Sequence, residues 1–142
     1  MSVDKETLKM LLHAAKDAAC HSYAPYSNYR VGAAVLTEKG VFIGANIENV
    51  SSVVGVCAEM MAIGHARMNS AVEISAIAIY CLNARVDNNG DVINPNETMP
   101  CGACRQWLTE LAPTALVITN GIITPMRVEE LLPKAFALQS RK

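Results

Sequence analysis

The stretch Ile74-Ser75-Ala76-Ile77-Ala78-Ile79-Tyr80-Cys81-Leu82 decides the fold. Its nearly unbroken apolar run, rich in isoleucine, reads as a well-buried strand. On its N-terminal side, residues 57–68 are rich in Ala, Met and Glu and predict a helix. On its C-terminal side, the Asn, Asp, Gly and Pro of residues 83–99 predict a loop, and residues 101–111 predict a second helix. Residues 115–119 form a short apolar strand, and Asn120-Gly121 signals a tight turn before Ile122-Ile123, counted as a last strand. A final helix over 127–132 stops at Pro133. Toward the N-terminus, Leu8, Leu11, Leu12, Ala15, Ala18 and Ala19 recur at spacings of three and four, predicting an amphipathic helix over 4–24. Residues 29–37 and 41–46 are strand-like, with Glu38-Lys39-Gly40 as a hairpin turn, and 50–56 form a loop. This order predicts an α/β fold: a three-layer α/β/α sandwich, with a mixed sheet of about five strands, as a single domain over residues 1–142.

The chain has 142 residues, 51% of them hydrophobic, which suits one core. Twelve basic residues face 13 acidic ones, and no Lys/Arg stripe of the kind that binds a phosphate backbone is visible, so no nucleic-acid partner is expected. A neutral small molecule is compatible with this balance. Met1-Ser2-Val3-Asp4-Lys5-Glu6 lacks the apolar core of a signal peptide, and no run of ~18 apolar residues is present. A soluble, cytoplasmic protein with no membrane contact is expected. Five cysteines are an odd number, and metal binding or burial explains them better than disulfides do in a reducing compartment.

The chemistry concentrates in Cys57-Ala58-Glu59 and Pro100-Cys101-Gly102-Ala103-Cys104-Arg105-Gln106, each where a loop passes into a predicted helix. Cys101 and Cys104 lie one helical turn apart, so both sulfurs can face one point. Three thiolate ligands to Zn2+ leave one tetrahedral vertex for water, the arrangement of a catalytic site. Two helix N-termini aimed at the metal offset part of the thiolate charge. Glu59, two residues after a ligand, can stand beside the metal without binding it, take a proton from water and pass it to a leaving group.

Cys57-Ala58-Glu59 with Pro100-Cys101-Gly102-Ala103-Cys104 resembles the small zinc-dependent cytidine deaminase family. The resemblance extends to Tyr26-Ser27-Asn28-Tyr29-Arg30-Val31-Gly32-Ala33-Ala34, to Gly44-Ala45-Asn46-Ile47-Glu48-Asn49 and to Glu130-Leu131-Leu132-Pro133-Lys134-Ala135-Phe136. It implies hydrolytic deamination of cytidine or deoxycytidine with Zn2+ as cofactor, Cys57, Cys101 and Cys104 as ligands and Glu59 as proton shuttle. It also implies that Asn46 and Glu48 hold the ribose, that Tyr29 and Ala58 border the base, and that Phe136 crosses to a neighbouring site in a homotetramer. The period-two spacing of Asn46 and Glu48 points both side chains to one face, which suits a grip on sugar hydroxyls but also suits turn residues.

Several positions depart from the family pattern. Met60 follows Glu59 where many relatives with three cysteine ligands carry an Arg that hydrogen-bonds the sulfurs. Arg105 is either a substitute for it or a helix-surface charge. Ser52 replaces a common Tyr, Val53 replaces a common Gly or Pro, and the 83–99 loop is long, either as a lid or as a surface insertion. Cys20 and Cys81 are expected to pack in the core. His13, His21 and His65 have no ligand spacing. Two other enzyme readings exist, a deaminase of modified cytosine nucleosides of the blasticidin type and a polynucleotide editor. A non-catalytic zinc-stabilised binding module has no use for Glu59.

Overall fold

The computed structural model describes residues 3–138. Asp4 starts α1 (Lys5–Ala19) as its N-cap, the carboxylate accepting from Thr7 N at 2.8 Å. The hairpin of β1 (Val31–Thr37) and β2 (Gly40–Ala45) turns at Glu38-Lys39, with Gly40 at φ +105° supplying the left-handed angle. Next come α2 (Ala58–Met68), β3 (Ile74–Cys81), α3 (Gly102–Leu111), β4 (Leu116–Thr119), β5 (Met126–Arg127) and the single turn α4 (Val128–Leu131). The sheet order is β2-β1-β3-β4-β5. β1 runs antiparallel to β2 and to β3, β3 and β4 are parallel across the α3 crossover, and β5 is antiparallel to β4.

The alternation of side chains along each strand divides the core in two. Ala34, Leu36, Ala76, Ala78 and Ile118 meet Leu8, Leu11 and Ala15 of α1. Their neighbours Ala33, Val35, Ile77, Ile79 and Val117 meet α2 and α3 on the other face. β3 is therefore apolar on both faces because helices cover both, and the expected mixed α/β/α architecture is present. Burial of Ile77 and of Ile79 each contributes about 1.5–3 kcal/mol.

Several boundaries differ from the sequence reading. α1 ends at Ala19, not near 24, because Tyr23 N donates to Asn46 O and Glu48 N to Tyr23 O, drawing that segment into extended pairing. Cys20, expected in the core, caps this shortened helix and is exposed. β1 begins at Val31, since Asn28 is left-handed at φ 57° and Tyr29 N is taken by the Ser27 hydroxyl. Ile122-Ile123 is not the last strand: Ile122 N folds back onto Thr119 O, and Met126–Arg127 pairs with β4 instead. The last helix is correspondingly Val128–Leu131, with Arg127 as its cap. The 83–99 loop contains a 3-10 turn, Pro95–Thr98, and a Val86–Val92 bridge.

Close approach of β2 to α2 seats the helix that carries Glu59. A Cβ on Gly44 would lie 2.6 Å from Ala58 O and 2.7 Å from Met61 Cβ. Gly44→Ala therefore forces β2 and α2 apart and is expected to cost about 1–3 kcal/mol of stability. Denaturant unfolding checks this, and an unchanged midpoint contradicts it.

Candidate metal centre and active site

Cys57 is the N-cap of α2 and Cys101 the N-cap of α3, both in extended backbone conformation. A Ser or Asp at an N-cap ordinarily accepts from the helix amides. Neither cysteine makes such a bond, so both sulfurs are left to face each other. Cys104, fully buried on the first turn of α3, completes a cluster whose sulfurs all lie within 4.8 Å of one another. Cys57 Sγ and Cys101 Sγ are 3.7 Å apart. Sulfurs ~2.3 Å from a tetrahedral centre are separated by ~3.8 Å, so this donor set fits Zn2+. The described cysteines are all free thiols.

Hydrogen bonding from Cys104, and secondarily from Cys101, lowers the Cys57 thiol to about 6 against the cost of burial. The Cys104 thiol is correspondingly pushed up, first by that same bond to Cys57, then by burial and the neighbouring negative charges.

Glu59, only 4% exposed, lies on the first turn of α2. Burial, reinforced by the charge of Cys57, pushes its carboxyl up to about 7. Glu59, Cys57, Ala58 and Cys101 line a cavity of about 150 Å³ that Tyr29 and Asn46 also border. An adjoining recess of about 300 Å³ shares Asn46 and Cys57 with it and adds Glu48 and Ser52. A larger concavity of about 650 Å³ around Glu38 and Pro113 contains none of these residues.

The structure thus brings together Glu59, the three cysteines, Tyr29, Ala58, Asn46 and Glu48. Phe136 stands apart, 70% exposed, and is not a buried anchor of its own chain. Asn46 and Glu48 also do structural work. Asn46 Oδ1 accepts from Val31 N and the Ser22 hydroxyl, and its Nδ2 donates to Tyr29 O. The Glu48 carboxylate accepts from Tyr26 N, Ser27 N and the Ser27 hydroxyl, which holds it below the usual carboxylate range. Glu48 therefore shapes the turn that leads into Tyr29, and Asn46 the passage from Tyr29 into β1.

Arg105 is engaged with backbone: Nε donates to Pro100 O at 2.9 Å and Nη1 to Leu131 O at 2.8 Å. It braces the turn into Cys101 and does not substitute for a sulfur-bonding arginine. Cys81 is buried as expected and borders the cavity from behind. Two further wall residues, Glu97 and Met99, were not singled out in the sequence. They carry no motif, and only the folded return of the 83–99 loop brings them to the site.

The family model for the cytidine and deoxycytidylate deaminase zinc-binding region matches residues 5–120. The chain belongs to this family. A cytidine deaminase from Mycobacterium tuberculosis is 39% identical to it over 130 residues, covering 91% of this chain and 89% of that one. A blasticidin-S deaminase from Bacillus cereus is 34% identical over 112 residues, covering 75% of this chain and 76% of its own. Among solved structures, the cytidine deaminase from Burkholderia pseudomallei superposes with a TM-score of 0.76 at 38% identity, covering 90% of this chain and 98% of that chain. Cys57, Cys101 and Cys104 all fall within the residues that this family model matches.

Proposed function

We propose that the chain, acting as a single domain, hydrolyses cytidine or deoxycytidine to uridine or deoxyuridine and ammonia. The observation that carries this reading is the buried Glu59 carboxyl beside three convergent sulfurs at the wall of a small cavity. Cys57, Cys101 and Cys104 would hold Zn2+, which when bound supplies a Lewis acid that makes water a nucleophile near neutral pH. Glu59, its proton affinity raised by burial, takes the proton from the water that adds to C4 of the ring. It delivers that proton to N3, and then carries the remaining water proton to the exocyclic amine. The C4–N4 bond breaks and ammonia leaves, so that one water is consumed per amine released.

Tyr29 and the start of α2 at Ala58 border the base in this reading. Asn46 and Glu48 face the sugar from the adjoining recess, where the carboxylate keeps acceptor positions for hydroxyl groups. The charge balance favours a free nucleoside over a polynucleotide. Among the described residues no helix is long and apolar enough to cross a membrane. Ligand thiols that must stay reduced fit the cytoplasm. An ultraviolet assay against cytidine, deoxycytidine, blasticidin S and single-stranded DNA, with zinc quantified in the same sample, tests this. The free nucleosides are the expected substrates; exclusive turnover of blasticidin S supports the alternative suggested by the Bacillus cereus relative.

A homotetramer completes the reading. Phe136, Val50 and Val53 are 70%, 84% and 90% exposed, apolar side chains that other copies could cover. Phe136 then reaches a neighbour's site, and Phe136→Ala is expected to raise KM while zinc content stays normal. A fully active monomer in light scattering contradicts both the assembly and this role.

A further inference from the structure

A loop as long as 83–99 beside an active site is ordinarily mobile or a surface insertion. This one is built. Asp87 N donates to Asp91 O at 2.8 Å and Ile93 N to Arg85 O at 2.9 Å, closing a small hairpin. At its neck, the Glu97 carboxylate accepts from Arg85 Nη2 at 2.7 Å, Nε at 3.0 Å and the Arg85 backbone N at 3.3 Å. The backbone carbonyl of that same Glu97 accepts from the Tyr29 hydroxyl at 2.6 Å. The next residue along the chain from Tyr29 holds the other foot of the loop, with Arg30 N donating to Asn83 Oδ1 at 2.8 Å. Beyond Glu97 the chain is fixed by the fully buried Thr98, whose hydroxyl meets Pro95 O at 2.7 Å and the Thr119 hydroxyl at 2.6 Å. It then passes through Met99, a cavity wall, to Cys101.

From this chain of contacts we infer that Tyr29 and Arg85 are positioning residues. Acting through Glu97, they fix the 83–99 loop as a rigid wall of the cavity and so set how tightly the base is held. The identity of the bound base rests on the deaminase reading above; the fixation of the wall does not. Burial keeps the Tyr29 phenol protonated by pushing its ionisation further up, so it remains a donor. An ion pair with Arg85 79% exposed stabilises little by itself. Its effect is on the geometry of Glu97, whose backbone carbonyl is held by Tyr29 and whose carboxylate is held by Arg85. Because both grips act on one residue, removing one should weaken the consequence of removing the other.

The test is a double-mutant cycle with Tyr29→Phe and Arg85→Ala, read by cytidine KM and kcat, zinc content and site-resolved amide hydrogen exchange. Tyr29→Phe removes only the donor and is expected to raise KM by about 2- to 10-fold, the worth of one hydrogen bond, with a smaller change in kcat. Arg85→Ala raises KM less, and Arg85→Lys restores part of the loss. The double variant raises KM by less than the product of the two single effects. Zinc content is unchanged throughout, and the amides of Asp87 and Ile93 exchange faster in Tyr29→Phe. Multiplicative KM effects overturn the shared route through Glu97, and faster exchange with unchanged KM overturns the positioning role. Unchanged exchange overturns the fixed wall itself. Absence of cytidine turnover in the unaltered protein counts against the deaminase reading, while the exchange data still judge the wall.

Discussion

Glu59→Ala is expected to fold, keep its zinc and lose about 10²–10⁴ in turnover, the range that general acid–base catalysis supplies. The separation of metal from turnover follows from placement. Glu59 lies on the same helix start as Cys57 and borders the same cavity, but the convergent ligand cluster is made by the three sulfurs alone. Removing the carboxylate takes away a proton carrier and leaves the sulfur cluster intact. Glu59→Gln, which keeps the shape and hydrogen-bonding capacity but cannot carry the proton, should fall as far. Metal analysis beside steady-state kinetics makes the check. Loss of zinc from both variants would make Glu59 part of the metal site, and near-normal turnover would remove the proton-shuttle mechanism.

Cys104→Ser is expected to lose both metal and activity, and to be less stable than the wild type. Cys104 is fully buried, and its side chain belongs to the sulfur cluster. Serine is a poor zinc ligand, and its hydroxyl without a partner at a buried position costs about 1–3 kcal/mol. Loss of a metal that binds only the folded chain lowers stability further. Thermal unfolding with and without added zinc separates the two contributions: wild type should be stabilised by zinc, and Cys104→Ser far less so. A variant with full zinc and a wild-type midpoint would refute the ligand assignment.

The legible parts of this fold are those in which one segment settles its own environment. Ile74–Cys81 is apolar at successive positions because helices cover both of its faces, and that alone identifies a central strand. Cys57 and Cys101 are readable because each opens a helix, where a thiol is an unusual cap. The misread segments depend on partners distant in sequence. α1 stops at Ala19 because residues beyond it pair with the 46–48 segment, and this is what exposes Cys20. β5 is only Met126–Arg127, too short to show a period, and exists because β4 offers it a free edge. The wall made by Glu97 and Met99 is invisible in the sequence because Tyr29, 68 positions from Glu97, fixes it. For Asn46 and Glu48 the spacing leaves both a sugar grip and a turn role open, and their hydrogen bonds show the structural role: Glu48 holds the turn before Tyr29, and Asn46 the entry to β1 at Tyr29 and Val31.

The most direct measurement is the product balance of the zinc-loaded, unaltered protein acting on free cytidine. Uridine and ammonia should appear in equal amounts, with about one zinc bound per chain, as expected for one three-cysteine site. A protein carrying that zinc but releasing no ammonia from cytidine or deoxycytidine would contradict the account.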